Sequence, residues 1–210
     1  ENLPAAVAIL NPLQKECAYP FKHLSGCGIG FKLVQALNQA WDLDPVDPYQ
    51  YLDLVAIAAG CDIVSMTDEN RVLSHFGLKL LTKTRRPGLE LLLENGGRIM
   101  DGQLKHPLTI TDLVFVIGPR INAAGRMAHG SRAVELLTAK TMKGAEKAAK
   151  DIIQSNQERR EVDQDILAEA LEMLDTDTAK KSTVLFAEHW HKGVVGIVAS
   201  RVQEHVYRPT

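Results

Sequence analysis

The sequence predicts an α/β chain of two domains joined by a long helix, and three observations carry that expectation. Apolar segments at Leu3 to Leu10 and Thr183 to Ala187 read as strands. Between them lie stretches whose apolar residues recur at helical spacing. From Met142 to Leu174 there is no proline and one early glycine, enough for a helix of about 50 Å, longer than one small domain requires. The 210 residues suffice for one large or two modest cores.

Composition narrows the function classes. With 45% hydrophobic and 24% charged residues the chain is an ordinary globular one, neither disordered nor fibrous. No apolar run approaches the roughly 18 residues of a membrane span, and no signal-peptide pattern opens the chain, so a soluble cytoplasmic protein without membrane contact is expected. Cys17, Cys27 and Cys61 include no C-x-x-C pair, which argues against a disulfide framework or zinc site and for buried free thiols. A net charge of −2 gives no global sign of nucleic-acid binding, so any such site must be local. The charge is in fact uneven. Val114 to Lys150 holds seven Lys/Arg against two Asp/Glu, and Asp151 to Asp177 holds two against nine, compatible with a polyanion site on part of the surface.

The first strand, expected to be buried, ends at the Asn11-Pro12 turn. Ser25 is a helix cap, and the helix that follows, about Ile29 to Trp41, carries Phe31, Val34, Leu37 and Trp41 at helical spacing. Its glycines, 26, 28 and 30, form G-x-G-x-G rather than a dinucleotide fingerprint and point to close packing. Tyr49 to Ala59 reads as a buried helix with Leu52, Val55, Ala56 and Ala59 on one side. Thr67 to Thr82 reads as another, with Val72, Phe76 and Leu80 in its stripe and Lys79 and Lys83 near its positive-charge-favouring end. Pro87 opens a short helix that Gly96-Gly97 stops. The run Asp112 to Ile117 suits helix or strand, with helix preferred. Ser131 opens a helix through about Ala139, and Thr141 starts the long one.

Three places concentrate chemistry. Asp62 follows a buried helix and precedes Ile63-Val64, where a carboxylate requires a partner, a capping role or a metal. Gly118-Pro119-Arg120-Ile121-Asn122-Ala123-Ala124-Gly125-Arg126 reads as a turn whose two guanidinium forks and one amide suit phosphate oxygens. Glu188-His189-Trp190-His191-Lys192-Gly193 leads from a strand into a helix, where free N–H groups and the helix dipole favour an anion. His189 and His191 have no third nearby metal ligand, so a polar or phosphate-contacting role is favoured. Ser200 and Arg201, two turns on, face either substrate or the other domain.

Taken jointly, G-P-R-I-N-A-A-G-R at Gly118 to Arg126 and W-H-K-G-V-V-G-I-V-A-S-R at Trp190 to Arg201 resemble the RecJ family, the single-strand-specific 5′ exonucleases of the DHH phosphoesterase superfamily. N-P-L-Q at Asn11 to Gln14, Y-L-D-L-V-A at Tyr51 to Ala56, D-I-V and E-N-R between Asp62 and Arg71, R-P-G-L at Arg86 to Leu89 and Y-R-P-T at Tyr207 to Thr210 extend the resemblance over the whole chain. It implies the later part of a parallel-sheet DHH domain (residues 1–140), a connecting helix (141–175) and the start of a smaller α/β DHHA1 domain (176–210), the two domains facing each other across a groove. It further implies phosphodiester hydrolysis by a water held between two Mn²⁺ or Mg²⁺ ions. Under it Asp62 becomes a metal ligand and His191 the catalytic candidate. Arg120, Asn122, Arg126, Lys192, Gly193, Ser200 and Arg201 become the DNA- or phosphate-binding set. The implied setting is DNA repair and recombination by a monomer acting 5′ to 3′ on single-stranded DNA, with a helicase and a single-strand-binding protein as partners.

The aspartate motifs and Asp-His-His triplet that name the superfamily are absent, as is the later glycine-rich part of DHHA1, so the chain alone is expected to be inactive. Ser65-Met66 also replaces a more usual Pro-containing pair. Two other readings compete: a DHH enzyme acting on oligoribonucleotides or small nucleotides, and a non-catalytic DHH-like scaffold that binds DNA.

Overall fold

The computed structural model describes residues 4–62, 64–83, 85–127, 130–174 and 180–210 and, for 124–127, the backbone alone. The chain divides into two compact units, one ending at Gly118 and the other beginning at Pro119. Both are mostly helical, with little sheet.

In the first unit, α1 (Gly26–Ala40) starts where Ser25 accepts a hydrogen bond from the Gly28 N–H at 3.1 Å. That cap satisfies one of the donors a helix start leaves open. Phe31 is buried, but Val34, Leu37 and Trp41 of the expected stripe remain 38%, 38% and 66% exposed. Of the first glycines Gly28 packs closely, a Cβ there meeting the Leu24 side chain at 3.3 Å, whereas one on Gly26 or Gly30 would meet open space. A 3-10 turn (Asp47–Tyr51) leads into α2 (Leu52–Cys61), which buries Leu52, Val55, Ala56 and Ala59 as its periodicity predicts.

α3 (Asp68–Lys83) packs on α2 through Asn70, Leu73, Ser74, Gly77 and Leu81, while Val72 and Phe76 stay exposed. The small-residue face wins because it lets the two backbones approach. A Cβ on Gly77 would lie 2.2 Å from the Leu52 carbonyl oxygen. Leu24, Phe31, Leu52, Val55 and Leu73 form one core cluster, with Tyr19, Phe21, Ile29 and Leu80 packed on it. α4 (Pro87–Asn95) has proline in its first turn, where the missing N–H is harmless, and buries Leu89, Leu92 and Leu93.

Among the described residues the single sheet is a two-stranded antiparallel ribbon, β1 (Ile99–Met100) with β2 (Gln103–Leu104), not the expected parallel sheet. Residues 4–10 are mostly exposed and form no strand, and residues 183–187 form no strand either. A strand is stabilised by its neighbours, and neither segment has one among the described residues. The cysteines are free as expected, but Cys27 is exposed and Cys17 and Cys61 are half-buried.

α5 (Ile110–Asp112) opens on a reciprocal cap between Thr109 and Asp112 and passes into a π-helical turn (Leu113–Ile117). The preference for helix there is met. The next element, α6 (Gly118–Met127), contains the Gly-Pro pair that was expected to make a turn. Proline needs no donor partner near a helix start. The Gly118 N–H reaches back five residues to the Leu113 carbonyl, so the widened turn carries the chain through the pair.

In the second unit, α7 (Ser131–Thr138) and α9 (Val195–Val206) pack on the 31-residue α8 (Met142–Glu172). Thr141 caps α8, accepting from the Gly144 N–H at 3.2 Å. Ala145, Ala149, Ile152, Ile166 and Ala170 form its buried stripe. Ile166 and Ala170 join Val194, Val198 and Val202, against which Leu185 and Trp190 pack. Among the described residues no helix is long and apolar enough to cross a membrane.

Candidate nucleic-acid interface

Arg120 and Asn122 lie two residues apart on α6 and so point to different sides of it. Arg120 is buried at 7% exposure, whereas Asn122 is exposed. Burial, and then the charge of Arg160 on α8, lowers the guanidinium pKa of Arg120 from its ordinary value. The Arg126 side chain lies outside the described residues.

The loop before α9 is tightly tied. The Trp190 N–H donates to the Ala187 carbonyl at 3.2 Å, and the His191 carbonyl accepts from the Val194 and Val195 N–H groups at 2.9 and 3.3 Å. His191 Nδ1 accepts from the Gly193 N–H at 3.1 Å. With these donors and those of Ile197 and Val198 bonded locally, the helix start offers an anion fewer backbone N–H groups than the sequence suggested. His191 and Lys192, both exposed, remain the outward polar groups.

Farther along, Ser200 turns its hydroxyl back to the Gly196 carbonyl at 3.1 Å. Arg201 pairs with Asp163 of α8 at 2.9 Å, and that carboxylate is 2% exposed. Arg201 therefore joins α9 to α8 within the second unit. Glu169, one to two turns beyond Asp163, accepts from the Trp190 indole N–H at 2.8 Å and lies 2.9 Å from His189 Nε2. Asn156, also on α8, is buried with its Oδ1 unpartnered.

Sequence reasoning passed over Glu169 and Asp163. A signal for the second existed: Asn156 and Asp163 occupy the same helical stripe as Ile152 and Ile166, where a polar residue needs a reason.

Asp62, in the first unit, follows α2 as its C-cap and donates its backbone N–H to Ala58 at 3.0 Å. Its side chain is exposed, so the burial argument for a partner does not apply. An accessible carboxylate fits one ligand of an oxygen-seeking divalent cation. Among the described residues no cluster of three or more His, Cys, Asp or Glu completes such a site.

Sequence and fold together relate this chain to the single-stranded-DNA-specific exonucleases. The relatives are RecJ proteins: that of Dickeya dadantii is 38% identical over 224 residues, covering 100% of this chain and 38% of its own length. RecJ of Escherichia coli is 36% identical with the same coverage, and RecJ of Bacillus subtilis is 38% identical over 99% of this chain and 25% of its own length. The crystal structure of RecJ from Thermus thermophilus in complex with Mg²⁺ superposes with a TM-score of 0.78 at 31% identity, over 91% of this chain and 29% of that one. A RecJ structure bound to manganese gives 0.72 at 31% identity, over 86% and 44%. No family model matches the chain. The chain thus spans well under half the length of these relatives, at 38% of the Dickeya protein.

Proposed function

We propose that this chain is part of a metal-dependent exonuclease of the DHH type that degrades single-stranded DNA from its 5′ end during DNA repair and recombination. In this reading the enzyme is a cytoplasmic monomer, with a helicase and a single-strand-binding protein as partners. The first unit belongs to the DHH domain and the end of the second to DHHA1. Support comes from the relation of the whole chain to RecJ proteins and from one local arrangement.

That arrangement is Arg120, buried on α6 and subject to the charge of Arg160 on α8. Guanidinium keeps its charge even when burial opposes it, because its ordinary pKa lies so far above neutrality. A backbone phosphate is the kind of group that such guanidinium forks recognise. Asn122, Arg126 and Lys192 extend the same role, and His191 adds a ring donor.

Asp62 supplies one carboxylate to a Mn²⁺ or Mg²⁺ site whose other ligands come from elsewhere in the full-length protein, so the chain by itself is inactive. Such ions, when bound, activate water and steady the attacking and leaving oxygens.

The test uses the full-length protein, Mn²⁺ and a 5′-phosphorylated single-stranded oligonucleotide. Arg160→Ala, at an exposed site that leaves folding intact, is expected to weaken binding about tenfold, as loss of a charged hydrogen bond does. The salt slope should fall by about 0.7, the value for one phosphate no longer neutralised on a single strand, with Mn²⁺ affinity unchanged. An unaltered affinity and slope would remove the phosphate assignment. Digestion by the isolated 210 residues would remove the claim of inactivity.

A further inference from the structure

We infer that Glu169 is a positioning residue: one carboxylate oxygen of α8 fixes the loop carrying His191 and Lys192, and acts on substrate through His191. The inference rests on the phosphate-contacting reading of that loop. Oε2 of Glu169 accepts the Trp190 indole N–H at 2.8 Å and lies 2.9 Å from His189 Nε2. Both side chains immediately preceding His191 are therefore held by the same atom. Trp190 is anchored a second time, its ring packing against the cluster of Ile166, Ala170, Val194, Val198 and Val202. A half-buried indole needs a polar partner for its N–H, and Glu169 provides it with a charged one.

On the far side of His191 the chain is equally constrained. Its carbonyl takes the N–H groups of Val194 and Val195, and its Nδ1 takes that of Gly193. A nitrogen that accepts a hydrogen bond carries no proton, so the neutral ring has its proton on Nε2. His191 thus offers an N–H outward. That polarity suits a phosphate oxygen; a metal would need a lone pair at Nε2 and hence the opposite tautomer, against the Gly193 donor.

The chain of restraint runs from Glu169 through His189 and Trp190 to the His191 ring. The Glu169 carboxyl lies below its usual range because of the Trp190 hydrogen bond and, after the opposing effect of burial, His189. It is therefore the anionic acceptor the geometry calls for at neutral pH. His189, at 69% exposure, is in this scheme a strut and not a ligand.

The test is a double-mutant cycle in the full-length protein with 5′-phosphorylated single-stranded DNA and Mn²⁺. Glu169→Ala should raise KM by about tenfold, the order expected when a charge-assisted hydrogen bond to a phosphate is lost, while kcat changes less than about twofold. In a His191→Ala background the same substitution should add nothing, because its effect passes through the missing ring. Glu169→Gln keeps an oxygen acceptor for Trp190 and should recover most of the loss. It also carries the test if Glu169→Ala fails to fold, with the Trp190 indole N–H resonance reporting the retained bond. Additive effects of the two substitutions, or an unchanged KM in folded Glu169→Ala, overturn the positioning role. An unchanged KM in His191→Ala alone overturns instead the phosphate reading on which it rests.

Discussion

Arg201 Nη1 lies 2.9 Å from Oδ2 of Asp163, a carboxylate only 2% exposed, while the arginine itself is 44% exposed. The pair ties α9 to α8. Removing the arginine strands a buried charge, and the penalty exceeds the net value of the pair. Arg201→Ala is expected to destabilise the protein by about 2 kcal/mol, tempered by the arginine's exposure. The double variant Asp163→Ala/Arg201→Ala should recover part of that loss. Urea unfolding of the full-length protein measures both. Full stability combined with weakened DNA binding would return Arg201 to the substrate-contacting set.

Gly77 is where α3 meets α2. An added methyl would stand 2.2 Å from the Leu52 carbonyl oxygen and 2.5 Å from the Ala56 Cβ, and neither atom belongs to a movable side-chain end. Gly77→Ala should therefore lower stability by about 3 kcal/mol through overpacking, against a gain of about 1 kcal/mol in helix propensity. Gly30→Ala, into open space, should raise stability by about 0.5 kcal/mol. Thermal melts that move in opposite directions would bear this out; equal shifts would not.

Acid should reach the first unit through Asp112. Burial raises the pKa of its carboxyl, but the Arg98 guanidinium at 2.5 Å and the Thr109 N–H and hydroxyl outweigh burial and hold it below the usual range. A folded-state pKa below the unfolded value of about 3.9 means the stabilisation is complete above that pH and is lost as pH falls through the folded value. Asp112→Asn should therefore melt well below the parent at pH 7, and the gap should close at the acid end. A gap constant with pH would show that the charge is not its source.

Asp62 gives a cleaner separation of roles. Its side chain is exposed and its backbone N–H closes α2, so Asp62→Asn should leave the melting temperature within about 1 °C, as for other surface changes within about 0.5 kcal/mol. Calorimetric titration of the full-length protein with Mn²⁺ should nonetheless show weaker binding. Unchanged metal affinity would end its candidacy as a ligand.

Local chemistry was legible wherever one turn of chain decides the outcome. Ser25 and Thr141 cap their helices through side-chain oxygens, and Pro87 sits in the first turn of α4. What escaped were outcomes set by partners distant in sequence. Val72 and Phe76 outscore Gly77 in hydrophobicity, yet the glycine faces α2 because close backbone approach outweighs side-chain apolarity there. The 183–187 segment reads as a strand by composition, but composition does not supply a neighbour. At the candidate site, guanidinium groups announced themselves, whereas Asp163 and Glu169 looked like members of an acidic solvated face. Their importance came from what the loop and α9 brought against them.

The π-helical turn at Leu113–Ile117 carries one residue more than an α-helical turn would hold. Each residue in an α-helix advances the next by about 100°. Winding the same residues as a regular α-helix would rotate the start of α6 by about that angle. Buried Arg120 would come to face another way, and exposed Asn122 with it. The wide turn acts as an angular offset: it takes up the extra residue and so sets which side of α6 carries the cation, independently of what the motif itself contains.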